Sequence, residues 1–171
     1  GVNAIGLFVD SKLEPILGIG GGVGGTVHYD PANPESFAGE ITLSAKDVVV
    51  NNDRMTQVMH GAEWLGVEDH PLVTFTFDSA HVTSKSDNAV VLHAHGSLTL
   101  AGVTKPMEVT IAATHLEDAA KERGGAEQGD LLVLRSNFVV NREDFGIKEG
   151  MPDKKVGKEI MIVVAIAGYE Q

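Results

Sequence analysis

The segment that most constrains the fold is a pair of short runs joined by a tight turn. Leu98 and Leu100 share one face of the first run, and residues 108–114 alternate between polar and apolar in the second. Between them, residues 101–103 include a glycine and are typical of a turn, and Pro106 cannot donate to a strand ladder, so it marks the start of the next strand. The segment predicts an antiparallel β-hairpin, to which the rest of the chain is expected to add strands.

Similar apolar or alternating runs recur on both sides of this hairpin. They predict strands at residues 4–9, 13–17, 26–30, 40–45, 48–50, 72–78, 79–84, 89–100, 107–115, 131–142 and 156–168. Regularly spaced strands with glycine corners describe a closed barrel better than a sandwich. We therefore predict an all-β fold, an antiparallel barrel of about eight strands, as a single domain over residues 1–171. Closure at that size leaves an interior that can hold one elongated ligand.

Residues 53–65 are the one stretch with a helical pattern. Met55, Val58 and Met59 recur at helical spacing. The negative charge of Asp53 near the start would interact favourably with the helix dipole. We expect this short helix to cover one opening of the barrel or to pack on its wall.

Three further segments carry structural predictions. Residues 18–25 contain six glycines, which predicts a sharply bent strand corner. The last strand, residues 156–168, is apolar on both faces, which predicts that its outer face is also covered, by a helix or by a second subunit. Residues 116–130 are charged and glycine-rich and predict a solvated loop with one helical turn.

Charge and composition exclude several functions. The 171-residue chain has a formal net charge of −11, and such a surface repels nucleic-acid phosphates, so we predict no nucleic-acid partner. Cysteine is absent, which excludes disulfides and thiolate metal sites. No apolar run approaches the roughly 20 residues that span a bilayer, so we predict no stable membrane insertion.

Five motifs, taken together, resemble the YceI-like family of bacterial lipid-binding proteins. Residues 96–106 read GSLTLAGVTKP, similar to the family pattern G-x-L-T-(I/L)-x-G-V-T-(K/R)-P. Residues 25–31 (GTVHYDP), 63–71 (EWLGVEDHP), 142–147 (REDFGI) and 156–160 (VGKEI) resemble further family segments in the right order. The family helix usually opens with a histidine-containing motif, and Val58 stands at that histidine position here.

The resemblance implies a lipocalin-like barrel that binds a polyisoprenoid or fatty-acid-type lipid in its lumen. It also implies a carrier or transport role and a periplasmic or secreted location with a signal peptide removed. Paired catalytic carboxylates, a Ser/His/Asp arrangement and a G-x-S-x-G nucleophile elbow are missing from the sequence, so we predict no enzymatic activity and no cofactor. The doubly apolar last strand makes a homodimer an expected assembly. The candidate lumen residues are Phe8, Met55, Met59, Trp64, Phe75, Phe77, Leu98, Leu100, Phe138, Arg142 and Phe145.

Two polar features leave alternatives open. His93 and His95 place two imidazoles on one face of a strand, which favours either a polar outer face or a metal-dependent small-molecule enzyme, although no further ligand lies at an obvious spacing. Arg142 is suited either to meet a phosphate at the barrel mouth or to pin the strand–turn through the adjacent carboxylates. A ligand-free stress or interaction protein, with its lumen filled by side chains, is a third alternative.

Overall fold

The computed structural model describes residues 3–124 and 128–169, and their strands form one curled antiparallel sheet. The strands are β1 (Ala4–Val9), β2 (Ile16–Gly20), β3 (Val23–Asp30), β4 (Asn33–Ser44), β5 (Val48–Val50), β6 (Leu72–Lys85), β7 (Ala89–Leu100), β8 (Val103–Leu116), β9 (Leu131–Asn141) and β10 (Glu159–Tyr169). Their order in the sheet is β3-β4-β6-β7-β8-β9-β10-β1-β2-β5. The predicted all-β architecture is confirmed, with one α-helix among the described residues.

The predicted count of eight strands is wrong, because ten strands form within residues 3–124 and 128–169. Strand β4 begins at Asn33, well before the alternating residues 40–45 that predicted it. Residues 72–78 and 79–84, predicted as two strands, form the single long strand β6. Register shifts at Phe77/Ser79 and Val82/Ser84 interrupt its alternation without ending it.

The helix is shorter than the predicted 53–65. Helix α1 covers Asp53–His60, and the side chain of its N-cap, Asn52, accepts a hydrogen bond from the Met55 N–H at 3.1 Å. Gly61 ends the helix in an extended conformation, and the following residues form turns. The helical spacing of apolar residues continued past this point, but the glycine ends the hydrogen-bonded segment.

The hairpin predicted at residues 97–114 is formed by β7 and β8. Its turn residues Ala101 and Gly102 both have positive φ, at 49° and 77°, as a two-residue hairpin turn of the type matching strand twist requires. A Cβ on Gly102 would lie 2.4 Å from the His70 ring. Glycine at this position therefore serves both the turn and the packing of His70 over it.

The glycine-rich stretch makes the predicted corner between β2 and β3. Strand β2 ends at Gly20 and β3 begins at Val23. Gly22 has a φ of +63°, and a Cβ there would lie 2.4 Å from an Asp47 carboxylate oxygen. The corner connects β2, which lies next to the edge strand β5, to β3, which forms the opposite edge of the curled sheet.

The inner face of the sheet is tightly packed at one end. Phe37, Leu92, Ala94 and Ala113 are all completely buried there. The Phe37 ring meets the Phe77 ring edge-on, with centroids 5.1 Å apart. This end of the molecule is an ordinary close-packed core.

The outer face of β10 and its neighbours is apolar and exposed. The exposed large residues of this outer apolar patch are Leu17, Ile19, Val49, Val139, Met161 and Val163. The registers place them side by side across β5, β2, β1, β10 and β9. The predicted two-sided apolar character of the last strand thus extends across a wider surface.

Other predictions concern the connecting segments. The predicted loop 116–130 begins within β8 and contains a 3₁₀ turn at Ala120–Arg123, while its residues 125–127 lie outside the described residues, as do residues 1, 2, 170 and 171 of the predicted domain. Within the described part of the chain, no helix has the length and apolar composition needed to cross a membrane.

Candidate functional site: an apolar cavity inside the sheet

The half of the inner face opposite the packed end is hollow. It encloses a cavity of about 620 Å³ lined by residues of β1, β2, β4–β10 and α1. The wall is almost entirely aliphatic and aromatic; its polar lining residues are Glu14, Thr42, Asn52, Arg54, Ser136 and Arg142. Sites that bind small molecules have volumes of roughly 300–1,000 Å³ and similarly apolar walls.

Most of the candidate lumen residues lie on this wall. Those that line the cavity are Met55, Met59, Trp64, Phe75, Phe77, Leu98, Leu100, Phe138 and Arg142. The Phe75 and Phe77 rings stack at 4.6 Å, and Phe138 meets Phe75 edge-on at 6.1 Å. These three rings form an aromatic floor where the hollow half meets the packed half. Their role in binding a ligand stays a prediction.

Two candidate residues lie elsewhere. Phe8 is on the outer face of β1, opposite Met161 and Leu17, because its neighbours Leu7 and Val9 take the inner face. Phe145 is buried in the core from a 3₁₀ turn and is not among the described residues that line the cavity. The aromatic character of both residues correctly indicated apolar packing. It did not indicate the direction of the side chain, which depends on strand parity for Phe8 and on the 3₁₀ turn for Phe145.

Arg142 holds the chain at the edge of the cavity. Its guanidinium is 1% exposed and donates hydrogen bonds to the carbonyl oxygens of Gly157 (3.1 Å), Ile147 (2.8 Å), Lys148 (2.5 Å), Met151 (3.3 Å) and Val156 (3.3 Å). All five of its N–H donors are therefore engaged by the chain itself. This geometry favours the structural alternative over the phosphate-binding one, with backbone carbonyls as the main partners.

The carboxylate next to Arg142 completes this arrangement. Glu143 Oε1 lies 3.8 Å from Arg142 Nη1, and Lys158 Nζ donates to Glu143 Oε2 at 3.0 Å. The hydrogen bond from Lys158 is the main cause that holds the pKa of Glu143 below its ordinary value, and the Gly150 N–H and the Arg142 charge act in the same direction. The segment from 142 to 158 is thus held by the hydrogen bonds of the buried Arg142 and by the ion pair between Glu143 and Lys158 nearer the surface.

Helix α1 lies at the opening of the cavity and is bound to β5. His60 Nε2 is 2.7 Å from the Val48 carbonyl oxygen, and Thr56 Oγ1 accepts a hydrogen bond from the Val50 N–H at 3.0 Å. Just beyond the helix, Glu63 pairs with Lys148, and this bond lowers the pKa of Glu63. The helix is therefore tied to β5, and the turn that follows it is tied to Lys148.

Three polar side chains mark where the cavity meets solvent. Glu14, Asn52 and Arg54 are exposed and also line the cavity. They carry one negative charge, one amide and one positive charge at the rim of an otherwise apolar space. A ligand seated with its chain in the cavity would present its polar end to this rim.

The sequence model that describes the YceI-like domain family matches residues 9–167 of this chain. The chain belongs to the YceI-like family. A UPF0312 protein of Pseudomonas paraeruginosa and the protein YceI of Salmonella arizonae are 29% and 28% identical over 147 residues, which are 86% of this chain and 70% of each relative.

Solved structures show the same fold. BcnA of Burkholderia cenocepacia has a TM-score of 0.78 at 15% identity, covering 97% of this chain and 96% of its own. The Campylobacter jejuni YceI protein has a TM-score of 0.70 at 18% identity, covering 90% and 84%. A polyisoprenoid-binding domain from Saccharophagus degradans has a TM-score of 0.69 at 9% identity, covering 98% and 93%.

The YceI-like cavity has further wall residues that were not among the predicted lumen residues. They come mainly from strands at one side of the sheet: Ile5, Leu7, Val9, Ile16, Val48, Val50, Ile160, Ile162 and Val164. Their signal was present, because every second residue of β1 and β10 is a large aliphatic. The apolar outer residues of the same strands concealed which of the two faces is inside.

The departure from the YceI-like helix motif also lies at the cavity. Val58, at the usual histidine position, lines the opening and is half exposed. This YceI-like chain therefore presents an aliphatic group to the rim at that position.

His93 and His95 are separate from this site. Both lie on the outer face of β7, since Leu92, Ala94 and Gly96 occupy its inner face. They do not contribute to the cavity.

Proposed function

We propose that this protein binds a long apolar chain, of the polyisoprenoid or fatty-acid type, inside its cavity. The observation that carries the proposal is the apolar cavity of about 620 Å³ in the hollow half of the sheet. At the liquid volume of water this space would hold about twenty water molecules, yet its wall offers them few hydrogen-bond partners. A hydrocarbon chain suits such a wall better than water does.

The driving force is the removal of the chain from water. Each methylene group buried contributes about 0.8 kcal/mol, which corresponds to about fourfold in affinity. Met55 and Met59, at the opening, are flexible side chains that adapt to ligands of irregular shape. Affinity should therefore rise about fourfold for each added methylene group until the cavity is full, and then level off.

The direct experiment is native mass spectrometry of the protein purified from its producing organism, followed by organic extraction. We expect one lipid-sized adduct per chain, which extraction removes and identifies. A bare mass, together with failure to take up an added isoprenol or fatty acid, would overturn the proposal in favour of a ligand-free protein.

A pair of variants on one strand tests whether the cavity is the site. Leu98→Trp should fill the cavity and abolish uptake of a fluorescent fatty acid, because Leu98 lines it. Ser97→Trp adds the same side chain to the outer face of the neighbouring position and should bind as the unmodified protein does. Equal binding by both variants would show that the ligand lies elsewhere.

We further propose that the outer apolar patch joins two copies of this chain as a homodimer. The patch residues are uncharged, whereas the chain carries a net charge of −11, so pairing through the patch brings together the surfaces that repel least. Light scattering should give twice the chain mass, and Met161→Glu should give the single mass. Thr110→Glu, an exposed change on another part of the outer wall, is the control and should stay dimeric.

We also propose that the protein acts as a lipid carrier in the periplasm or as a secreted protein. The support is the YceI-like family resemblance, and the acidic surface is consistent with a carrier that does not adsorb to anionic membranes. Fractionation of the producing organism, with a cytoplasmic marker enzyme as reference, checks it. Recovery with the cytoplasmic marker alone would contradict this location.

A further inference from the structure

Three histidines from two neighbouring strands meet on the outer wall of the sheet. His93 and His95 project from β7, and His81 of β6 is paired in register with His93. The three ring centroids are 5.0 to 5.4 Å apart. One nitrogen of each ring lies within 4.8 Å of one nitrogen of each of the others.

A register shift in β6 brings His81 to this place. Strict alternation from Phe75 and Phe77, which face inward, would turn His81 inward as well. The shift between Phe77 and Ser79 reverses the parity, so that Ala80 packs in the core and His81 faces out. Bulges of this kind re-aim side chains.

A carboxylate from a third strand adjoins the histidines. Glu108 of β8 is paired with His95. Its Oε2 atom is 3.1 Å from His93 Nε2, and its Oε1 atom is 3.2 Å from His95 Nδ1. One carboxylate thus contacts two of the three imidazoles.

This set of donors suits a transition metal. Imidazole nitrogen is a preferred ligand of Zn²⁺ and Cu²⁺, and a carboxylate beside the rings orients them and adds negative charge. Tetrahedral zinc needs ligand nitrogens roughly 3.3 Å apart, given Zn–N bonds of about 2.0–2.1 Å. His81 is exposed and His93 and His95 are half-buried, so small side-chain rotations can close the cluster without moving the sheet.

We propose that His81, His93 and His95, with Glu108 beside them, form a binding site for a divalent transition-metal ion on the outer wall. The ion would clip β6 to β7 and place positive charge on an acidic protein. The site is separated from the cavity by the sheet itself, and it does not depend on lipid binding.

The test is a Zn²⁺ titration of untagged, metal-free protein against a chromophoric chelator. We expect one tight site per chain, and His93→Gln and His81→Gln should each weaken it at least tenfold. His28→Gln also removes one histidine, from β3, and is the matched control that should leave the affinity unchanged. Zn²⁺ should also raise the thermal unfolding midpoint of the unmodified protein, and of H28Q, but not of H93Q.

The outcomes separate this proposal from the proposed function. Absence of a stoichiometric site, or equal affinity in H28Q, H81Q and H93Q, would overturn it. Fatty-acid uptake is measured on the same variants and should be unchanged in all of them. Loss of metal binding in H93Q with normal lipid uptake would support two independent sites.

Discussion

The two ends of the sheet interior use the same strands for opposite purposes. Along β7, Leu92 and Ala94 are completely buried in the packed end, whereas Leu98 and Leu100 line the cavity. Gly96 separates the two pairs. A Cβ there would lie 1.9 Å from the Thr76 carbonyl oxygen, so the neighbouring backbone approaches closely where the packing changes.

The difference between the ends lies in what fills the space between the walls. In the packed end the inner positions of three strands carry Ala80, Ala94 and Ala113, and the Phe37 ring lies in the same cluster. In the hollow end the walls carry large aliphatic residues, but the facing side chains leave about 620 Å³ between them. Small residues opposite one large ring give a full core, and large residues on every wall can still enclose a cavity.

The largest expected effect comes from truncating leucines at the two ends. Leu92→Ala should lower the free energy of unfolding by about 3–5 kcal/mol, because it opens a void in a close-packed core. Leu98→Ala should lower it by about 2 kcal/mol, because that side chain already borders open space. Urea unfolding of lipid-extracted protein measures both. Equal losses would mean that the hollow end is collapsed in solution.

Arg142 tests how the rim of the hollow end is held. Arg142→Lys should lower the free energy of unfolding by about 3 kcal/mol, because one ammonium group cannot satisfy the five carbonyl oxygens that the buried guanidinium binds. Fatty-acid uptake should fall as well, since Ile147, Met151 and Val156 of the held segment line the cavity.

The control for this change is the same substitution at an exposed arginine. Arg135 donates from Nη1 to the carbonyl oxygens of Leu134 and Ile166 on the sheet surface. Arg135→Lys should change stability by about 0.5 kcal/mol or less. If R142K were as stable as R135K but bound anionic lipids more weakly, the phosphate-binding alternative would be correct.

The sequence made the strands and the floor of the cavity predictable. The positive-φ turn at 101–102 and the alternation around it determine the β7–β8 hairpin, and the inward face of Phe75 and Phe77 follows from strand parity. These features depend on residues close together in the chain. Local patterns are enough to find them.

The remaining features depend on distant residues or on broken parity. The partners of Arg142 are carbonyl groups of a segment without periodicity, so no pattern of residue types identifies them. The outward direction of Phe8 could not be predicted, because both faces of β1 are apolar and composition does not show which face is inside. His81 escapes detection because the register shift after Phe77 reverses the face on which it lies.

The smallest expected effect is on the acid stability of the rim. Lys158 and its neighbours hold the pKa of Glu143 below its ordinary value in the folded protein. At a pH between the folded and the unfolded pKa, Glu143 is therefore mostly protonated in the unfolded chain and mostly ionised in the folded protein. This carboxylate therefore stabilises the fold above about pH 4.5, and that contribution is lost as the pH falls through the folded pKa. Glu143→Gln should make the decline of the unfolding midpoint between pH 6 and 3 shallower. Lys158→Met should reproduce most of this change, because Lys158 is its main cause; an unchanged slope in both variants would show that Glu143 is not held by this pair in solution.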